Sequence, residues 1–431
     1  MTRGGVGAAG GAILALVLAS SAWGYGYLDL GIGPGVFQGS ARSAGMGEVG
    51  IVGERGPLGV ALNPAFAAVS RDPQIALTYR GVSIKEDWAF PAYDSFDALL
   101  GYNTYSANSN AYHDFGCGVM SGEIGAAEGV SVGLALSTAY DFRYDYAEQV
   151  IDRTSTAQPP DRTVARDWIE ASGKIRSLSV GLARPVNDKV RLGVGFDYLF
   201  GEREVESAVS FTDPTKVPWA SGTAETSSVF RAEDLTGVRF SLGALLDLYE
   251  RFSLGATYRT RAQLGGDLTA SVPGPDSIIV SPSDLVRLPA SFAVGVSFKP
   301  RNELATVVEG NLIYTRWSDA TDPAGLGAAP NDTYEWHLGV EHVFYNQRPL
   351  RFGFLYRPSP TDKETAEPAV TAGTGFAVAG FDIDLAAKVG WRQYRSADLF
   401  SDELVGAKRR QGTDRVTETT MGATVSITRR F

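Results

Sequence analysis

Residues Phe381–Trp391 read FDIDLAAKVGW. Phe381, Ile383, Leu385, Val389 and Trp391 fall on one side of an extended chain, and Asp382, Asp384, Lys388 and Gly390 on the other. Apolar and charged positions alternating with period two predict a strand with one greasy and one ionic face. The pattern recurs along the chain. Val132/Leu134/Leu136/Tyr140/Phe142, Leu192/Val194/Phe196/Tyr198 and Val238/Phe240/Leu242/Ala244 show it, as do Phe252/Leu254/Ala256/Tyr258, Phe292/Val294/Val296/Phe298 and Leu350/Phe352/Phe354/Tyr356.

A soluble β-sandwich would alternate as well, and three features separate it from a membrane barrel. Short turns near Asn187-Asp188, Leu248 to Arg251, Pro300 to Asn302, Asn346 to Pro349 and Gly380 alternate with long polar loops. The loops run from about Lys85 to Asn110, Tyr146 to Asp167, Gly201 to Ser228, Ala262 to Ser283, Asp319 to Asp332, Ser359 to Ala372 and Ala397 to Asp414. Outer-membrane barrels have this asymmetry, with tight periplasmic turns and long external loops. Aromatics collect where strands reach the outer interface: Tyr140/Phe142/Tyr144, Tyr198/Phe200, Tyr258, Tyr314/Trp317, Trp336 and Trp391/Tyr394 predict a girdle. The chain ends ATVSITRRF, with Met421, Ala423, Val425, Ile427 and Phe431 on one face and Arg429 tolerable there only at the interface. A terminal aromatic of this kind points to recognition by barrel-assembly machinery through Phe431. The segments number about fourteen, those around Tyr112–Met120 and Gly373–Ala379 being the weakest. The fold class is all-β: a transmembrane antiparallel β-barrel of about 14 strands with an N-terminal hatch inside the lumen.

Composition agrees. The 431 residues carry a net charge of -10 with no basic stripe, which argues against a nucleic-acid partner. A single cysteine, Cys117, excludes an internal disulfide and a cysteine-rich metal site. Arg3, the apolar run Ala12–Ala19 and Ala22-Trp23-Gly24 read as an export leader, too short to span a bilayer. Residues 1–24 are thus expected to be a signal peptide, 25–72 a hatch and 73–431 the barrel, working as a monomer in the bacterial outer membrane against its lipid.

The hatch contains GMGEVG, Gly45–Gly50, a match to Gly-x-Gly-x-x-Gly. A dinucleotide fingerprint needs a strand before it, a helix after it and an acid about twenty residues on. Here a Gly/Pro-rich coil precedes it and Glu48 sits within it, so no cofactor is expected. Gly45, Met46, Gly47 and Gly50 fit a segment pressed against an inner wall, where backbone approaches backbone. Asn63-Pro64-Ala65 supplies a turn with a fixed φ at Pro64.

FQGSARSAGMGEVGIVGERGPLGVALNPA, Phe37–Ala65, resembles the N-terminal hatch of the FadL-type transporters of hydrophobic compounds. LPASFAVGVSFKPRNELATVVEGNLIYTRWSD, Leu288–Asp319, and NDTYEWHLGVEHVFYNQRPLRFGFLYRPSP, Asn331–Pro360, resemble the same family. The resemblance implies a fourteen-stranded barrel, an internal hatch, and diffusion of apolar molecules that leave sideways into the membrane. Hydrophobic small molecules such as long-chain fatty acids or aromatic hydrocarbons are the implied cargo.

The inward faces carry Arg191, Arg239, Arg251, Arg259, Glu309, Glu335, His337, Arg351, Lys388 and Arg392, with Asp197, Asp247, Asp382 and Asp384. Buried beside a hatch, such charges pair with one another and with its backbone; the arginines could alternatively hold an acidic headgroup. No catalytic residues are expected, because His113, His337 and His342 are scattered without a nucleophile. No metal is expected either: Asp94 and Asp97 lack an ordered ligand spacing. The expected function is passive, hatch-gated uptake. The alternatives are a PorV-like barrel that docks secretion machinery without transporting, and an ordinary porin.

Overall fold

The structure, a computed structural model, describes residues 26–31, 33, 35–70, 72–96, 98–123, 129–152, 162–211, 225–271, 286–301, 305–321, 330–400 and 413–431. The expected leader, Asp97 and the tips of several loops lie outside them. Seventeen strands are present among the described residues: β1 Gln74–Tyr93, β2 Leu99–Glu123, β3 Ser131–Asp141, β4 Tyr144–Asp152, β5 Arg162–Pro185, β6 Val190–Phe211, β7 Glu225–Tyr249, β8 Phe252–Arg259, β9 Ala262–Ser271, β10 Val286–Leu288, β11 Ser291–Phe298, β12 Ala305–Thr315, β13 Thr333–Val343, β14 Pro349–Pro358, β15 Ala366–Val378, β16 Phe381–Ser396 and β17 Asp414–Arg430. β3/β4, β8/β9 and β10/β11 are each one crossing interrupted by two residues, so the wall has fourteen crossings. Pairing of Gln74 with Arg430 through Ala89 with Arg415 joins the first strand to the last and closes the cylinder. This seam leaves neither the first nor the last strand with an unpaired edge for the bilayer to desolvate. Pro289, which has no N–H for the ladder, falls in the β10–β11 interruption.

Alternation sorts the faces as expected. Phe240 and Leu242 are 56% and 58% exposed to the outside, while Arg239 between Val238 and Phe240 is 4% exposed. Two expectations are corrected. The described parts of Lys85–Asn110, Tyr146–Asp167 and Gly201–Ser228 are largely strand: β1 and β2 run on to Tyr93 and Leu99, β4 and β5 to Asp152 and Arg162, and β6 and β7 to Phe211 and Glu225. Beyond the membrane a hairpin needs no greasy face, so the ladder continues where the hydrophobic rhythm has stopped. The girdle is also smaller than expected. Tyr198, Tyr258, Trp336 and Trp391 face out, whereas Tyr140, Phe142, Tyr144, Trp317 and Tyr394 are buried inside. In β3 the cause is a bulge: Thr138 pairs with Arg176 and Tyr140 with Ile175, leaving Ala139 extra and inverting the phase beyond it. Tyr394 is an odd number of residues from Trp391 in an unbroken register, so the two face opposite ways.

The segment from Gly35 to Val69 touches β2, β3, β5, β6 and β7 through its short 3₁₀ turns, Pro57–Ala61 and Pro64–Ala68. It touches β14 to β17 through its one short helix, α1, Ala41–Gly45. A segment in contact with opposite walls lies within the cylinder. Its apolar side chains, among them Met46, Val49, Leu58 and Phe66, are buried, each worth ~1.5–3 kcal/mol.

Glycines make this seat possible. A side chain on Gly45 would come within 3.0 Å of the Gly373 Cα, and one on Gly47 within 2.5 Å of the Leu338 carbonyl oxygen. From the wall, Gly339 and Gly353, partners across β13 and β14, press directly on Met46 and Gly47. On the far side Gly193 and Gly243, paired across β6 and β7, meet Asn63-Pro64-Ala65 in the same way. The GMGEVG pattern is therefore a surface for close backbone contact. Gly50 packs on Leu62 within the segment.

Candidate lumen site and lateral break

Of the inward charges expected from sequence, Arg259, Glu309, His337, Lys388 and Arg392 bond the N-terminal segment directly, while Arg239 with Asp197, Arg351 with Asp384, and Glu335 pair within the wall. Asn63 accepts from Ala65 N at 3.1 Å and donates to Ile51 O at 3.1 Å and to Ala244 O at 3.3 Å, tying the turn to β7. Arg42 donates to Glu341 through Nε at 3.1 Å and Nη2 at 3.0 Å, and lies 3.5 Å from Glu309. Arg351, the cross-strand partner of Glu341, bonds it at 2.7 Å and reaches Asp384 at 2.7 Å. Arg55 adds a third guanidinium to Glu341 at 3.1 Å. Both carboxylate oxygens of this buried side chain are thus shared among three arginines.

A second cluster surrounds Glu48. Gly47 and Glu48 both take left-handed φ, +75° and +61°, and the turn aims the Gly47 carbonyl at His337 Nδ1, 2.7 Å away. Glu48 itself pairs with Arg357 at 2.9 Å and Lys388 at 3.3 Å, and Arg357 bonds Glu335 at 3.0 Å. Burial is the largest influence on the Glu48 carboxyl and pushes its pKa up. Lys388, Arg357, His337 and Arg80 together outweigh burial and hold it well below the ordinary carboxylate range. Arg239 pairs with Asp197 at 2.8 Å, and Arg259 donates to the carbonyls of Ala61 and Leu62. Arg392 links Asp29 and Glu418 at 2.6 Å each.

Four expected residues, Arg191, Asp247, Arg251 and Asp382, stand apart from these clusters. Arg191 pairs with Asp247 at 2.5 Å and is partly exposed near the short turns, Arg251 sits in the β7–β8 turn, and Asp382 meets Arg430 at the strand ends. Arg42, Glu341 and Arg357 were not singled out from the sequence, and Glu48 only as the acid within the glycine pattern. Two of them were within reach, because Glu341 shares phase with Glu335 and His337, and Arg357 with Arg351.

Between the segment and the far end of the barrel lies a cavity of about 230 Å³. Its lining is part apolar, with Val36, Phe37, Ile84, Tyr112, Tyr140 and Trp317, and part charged, with Glu48, Arg80, Glu335, Arg357, Lys388 and Arg392. Arg80 lies over the Phe37 ring, 5.8 Å from its centre. Above, an apolar cluster that includes Trp88, Tyr144, Tyr146, Ile169 and Tyr394 fills the end remote from the short turns.

The wall is discontinuous beside this cavity. Backbone pairing of β2 with β3 runs only from Cys117–Leu136 to Glu123–Ser131. Beyond Leu136, β3 bends inward through its bulge and Ser137–Asp141 are all buried. Among the described residues, side chains take over where the ladder stops: Thr138 Oγ1 donates to Asp114 at 2.6 Å and Asn110 to Asp145 O at 2.9 Å. From inside, Val36 N donates to Ala139 O at 2.9 Å, and Gln38 to Ser137 at 2.9 Å. The N-terminal segment thus touches the break from within.

A closed fourteen-crossing barrel, greasy outside, ionic within and filled by its own leading segment, is an outer-membrane channel fold. Residues 40–379 match the family of outer membrane transport proteins described as OMPP1/FadL/TodX, and the chain belongs to that family. Its members are transport channels of the outer membrane, not enzymes, which disfavours the docking-scaffold alternative. A crystal structure of a Pseudomonas aeruginosa FadL homologue is similar at TM-score 0.66 and 16% identity, over 93% of this chain and 100% of that one. The Pseudomonas putida toluene transporter TodX gives 0.63 and 17%, over 92% and 99%. The Ralstonia pickettii toluene transporter TbuX gives 0.57 and 16%, over 92% and 99%. At these identities the likeness is one of fold. Comparison with curated proteins gives no match.

Proposed function

We propose that this barrel, working as a monomer, takes up hydrophobic small molecules passively, that its N-terminal segment is the gate, and that cargo leaves through the β2–β3 break into the bilayer. The observation that carries the reading is the contact of one segment with both the cavity and the break. Val36 lines the cavity and bonds Ala139 at the bulge. A cargo that displaces Val36 to occupy the cavity therefore also frees the inner side of the exit. The apolar part of the lining suits an alkyl or aromatic body, and Arg80, with no carboxylate in ion-pair range among the described residues, suits a polar or anionic end. Phe431, exposed at the seam and bonded to Pro73 O, is the residue we assign to the assembly machinery.

Deleting Ala139 tests the route. Removing the extra residue restores the phase of β3, so the strand can pair with β2 along its length. Proteoliposomes carrying this variant should lose uptake of labelled fatty acid and of toluene although it still assembles as a membrane-inserted barrel; its melting temperature should fall as Tyr140 and Phe142 leave the interior. Uptake at the wild-type rate would refute exit through the break.

A further inference from the structure

The break is bridged on its outer side as well as its inner one. Period two puts Lys174 and Arg176 of β5 on the face of Leu178 and Leu182, which is the lipid side. Because β3 dips inward here, both cations reach past it to β2. Lys174 Nζ donates to His113 O at 3.1 Å, and Arg176 Nη2 to Phe115 O at 3.1 Å. Arg143, from the interruption between β3 and β4, approaches the same His113 carbonyl at 3.4 Å. His113 and Phe115 are two residues apart, so their carbonyls lie on one edge of β2, the edge that β3 abandons. A hollow of about 550 Å³ adjoins these contacts, with Phe200 and Gly201 on its β6 side.

Unpaired carbonyls at a strand edge are costly near a bilayer, and the two cations satisfy them without a ladder. Backbone pairing would seal the wall until the sheet itself came apart. Long side chains can instead swing aside, since Lys and Arg readily carry their charge to the interface while their stems stay in apolar surroundings. We propose that Lys174 and Arg176 form a latch on the lipid side of the exit, a second barrier in series with the N-terminal segment, and that this latch limits the width of cargo that leaves. Asp114, 3.8 Å from Lys174, holds that cation in place when the exit is closed, and Asp141 fixes the neighbouring Arg143 at 2.6 Å. The latch rests on the exit route proposed above, but its closure can be measured without transport.

The reporter is Ser137→Cys, a buried position on the inner side of the break, in a Cys117→Ser background so that it is the sole thiol. The full-length protein is reconstituted in liposomes and exposed to a maleimide confined to the bilayer. Lys174→Met with Arg176→Met keeps the apolar stems and removes the donors. Modification should quicken about tenfold, the change equivalent to ~1.4 kcal/mol, and uptake of a polycyclic aromatic should rise more than that of a slim alkyl acid. Either single substitution should give about threefold, guarding against a double variant that fails to fold, and Lys174→Arg should leave both rates at the wild-type value. Unchanged modification in correctly melting variants overturns the latch. Faster modification with unchanged uptake keeps the latch and overturns the exit route instead.

Discussion

Removing the Glu341 carboxylate should unseat the N-terminal segment while leaving the barrel whole. In Glu341→Ala, Arg42 loses two hydrogen bonds of 3.1 and 3.0 Å, and Arg351 one of 2.7 Å, all between buried groups. Arg351 keeps Asp384 and the Thr374 carbonyl, so the wall side remains compensated. Arg42 keeps only the Gly53 carbonyl and a 3.5 Å approach to Glu309, so the segment side does not. Breaking a buried pair by deleting one partner costs ~3–5 kcal/mol, which raises the population of the unseated segment by ~10²–10⁴. Hydrogen exchange across residues 40–54 reads this directly, and planar-bilayer recordings should show ion leakage absent from the wild type. Glu341→Gln keeps one acceptor oxygen and should fall between the two. Unchanged exchange and conductance in Glu341→Ala would refute the claim that these ion pairs hold the segment.

Gly353→Ala should lower the melting temperature and expose the segment to trypsin, because the new methyl collides with the Met46–Gly47 backbone; Gly380→Ala, in an open turn at φ +80°, should cost only ~1 kcal/mol and leave the segment protected. Glu48 sets the acid limit of the seat. Its folded pKa is depressed, so the stability it contributes is present above the unfolded value of ~4.3 and fades as pH falls towards the folded one. Segment protection should hold from pH 8 to pH 5 and decline only below about pH 4; loss near pH 6 would show that another group controls it.

Alternation was readable wherever a strand had lipid on one side and the ionic lumen on the other, as in Phe381–Trp391. It failed where that contrast vanishes. β1 and β2 continue past the membrane with water outside and the Trp88 cluster inside, so the lipid-facing apolar residues stop and the chain there looks like loop. Tyr140, Phe142 and Tyr144 look like girdle residues because a single extra alanine reverses their direction, and no local residue type announces that bulge. The Arg42–Glu341 and Glu48–Arg357 pairs span roughly three hundred positions, and only the closed cylinder brings them together. Their wall-side members could have been found by phase alone; their partners, in a segment without periodicity, could not.

The filling of the barrel has almost no interior of its own. Its helix has five residues and its 3₁₀ turns five each, and the glycine-lined wall supplies most of what they pack against. Such a stretch cannot swing aside as a preformed lid. Leaving the wall means melting, with apolar surface newly wetted and a positive heat-capacity change. Opening should therefore carry the thermal signature of partial denaturation, steepening on warming as no hinge would.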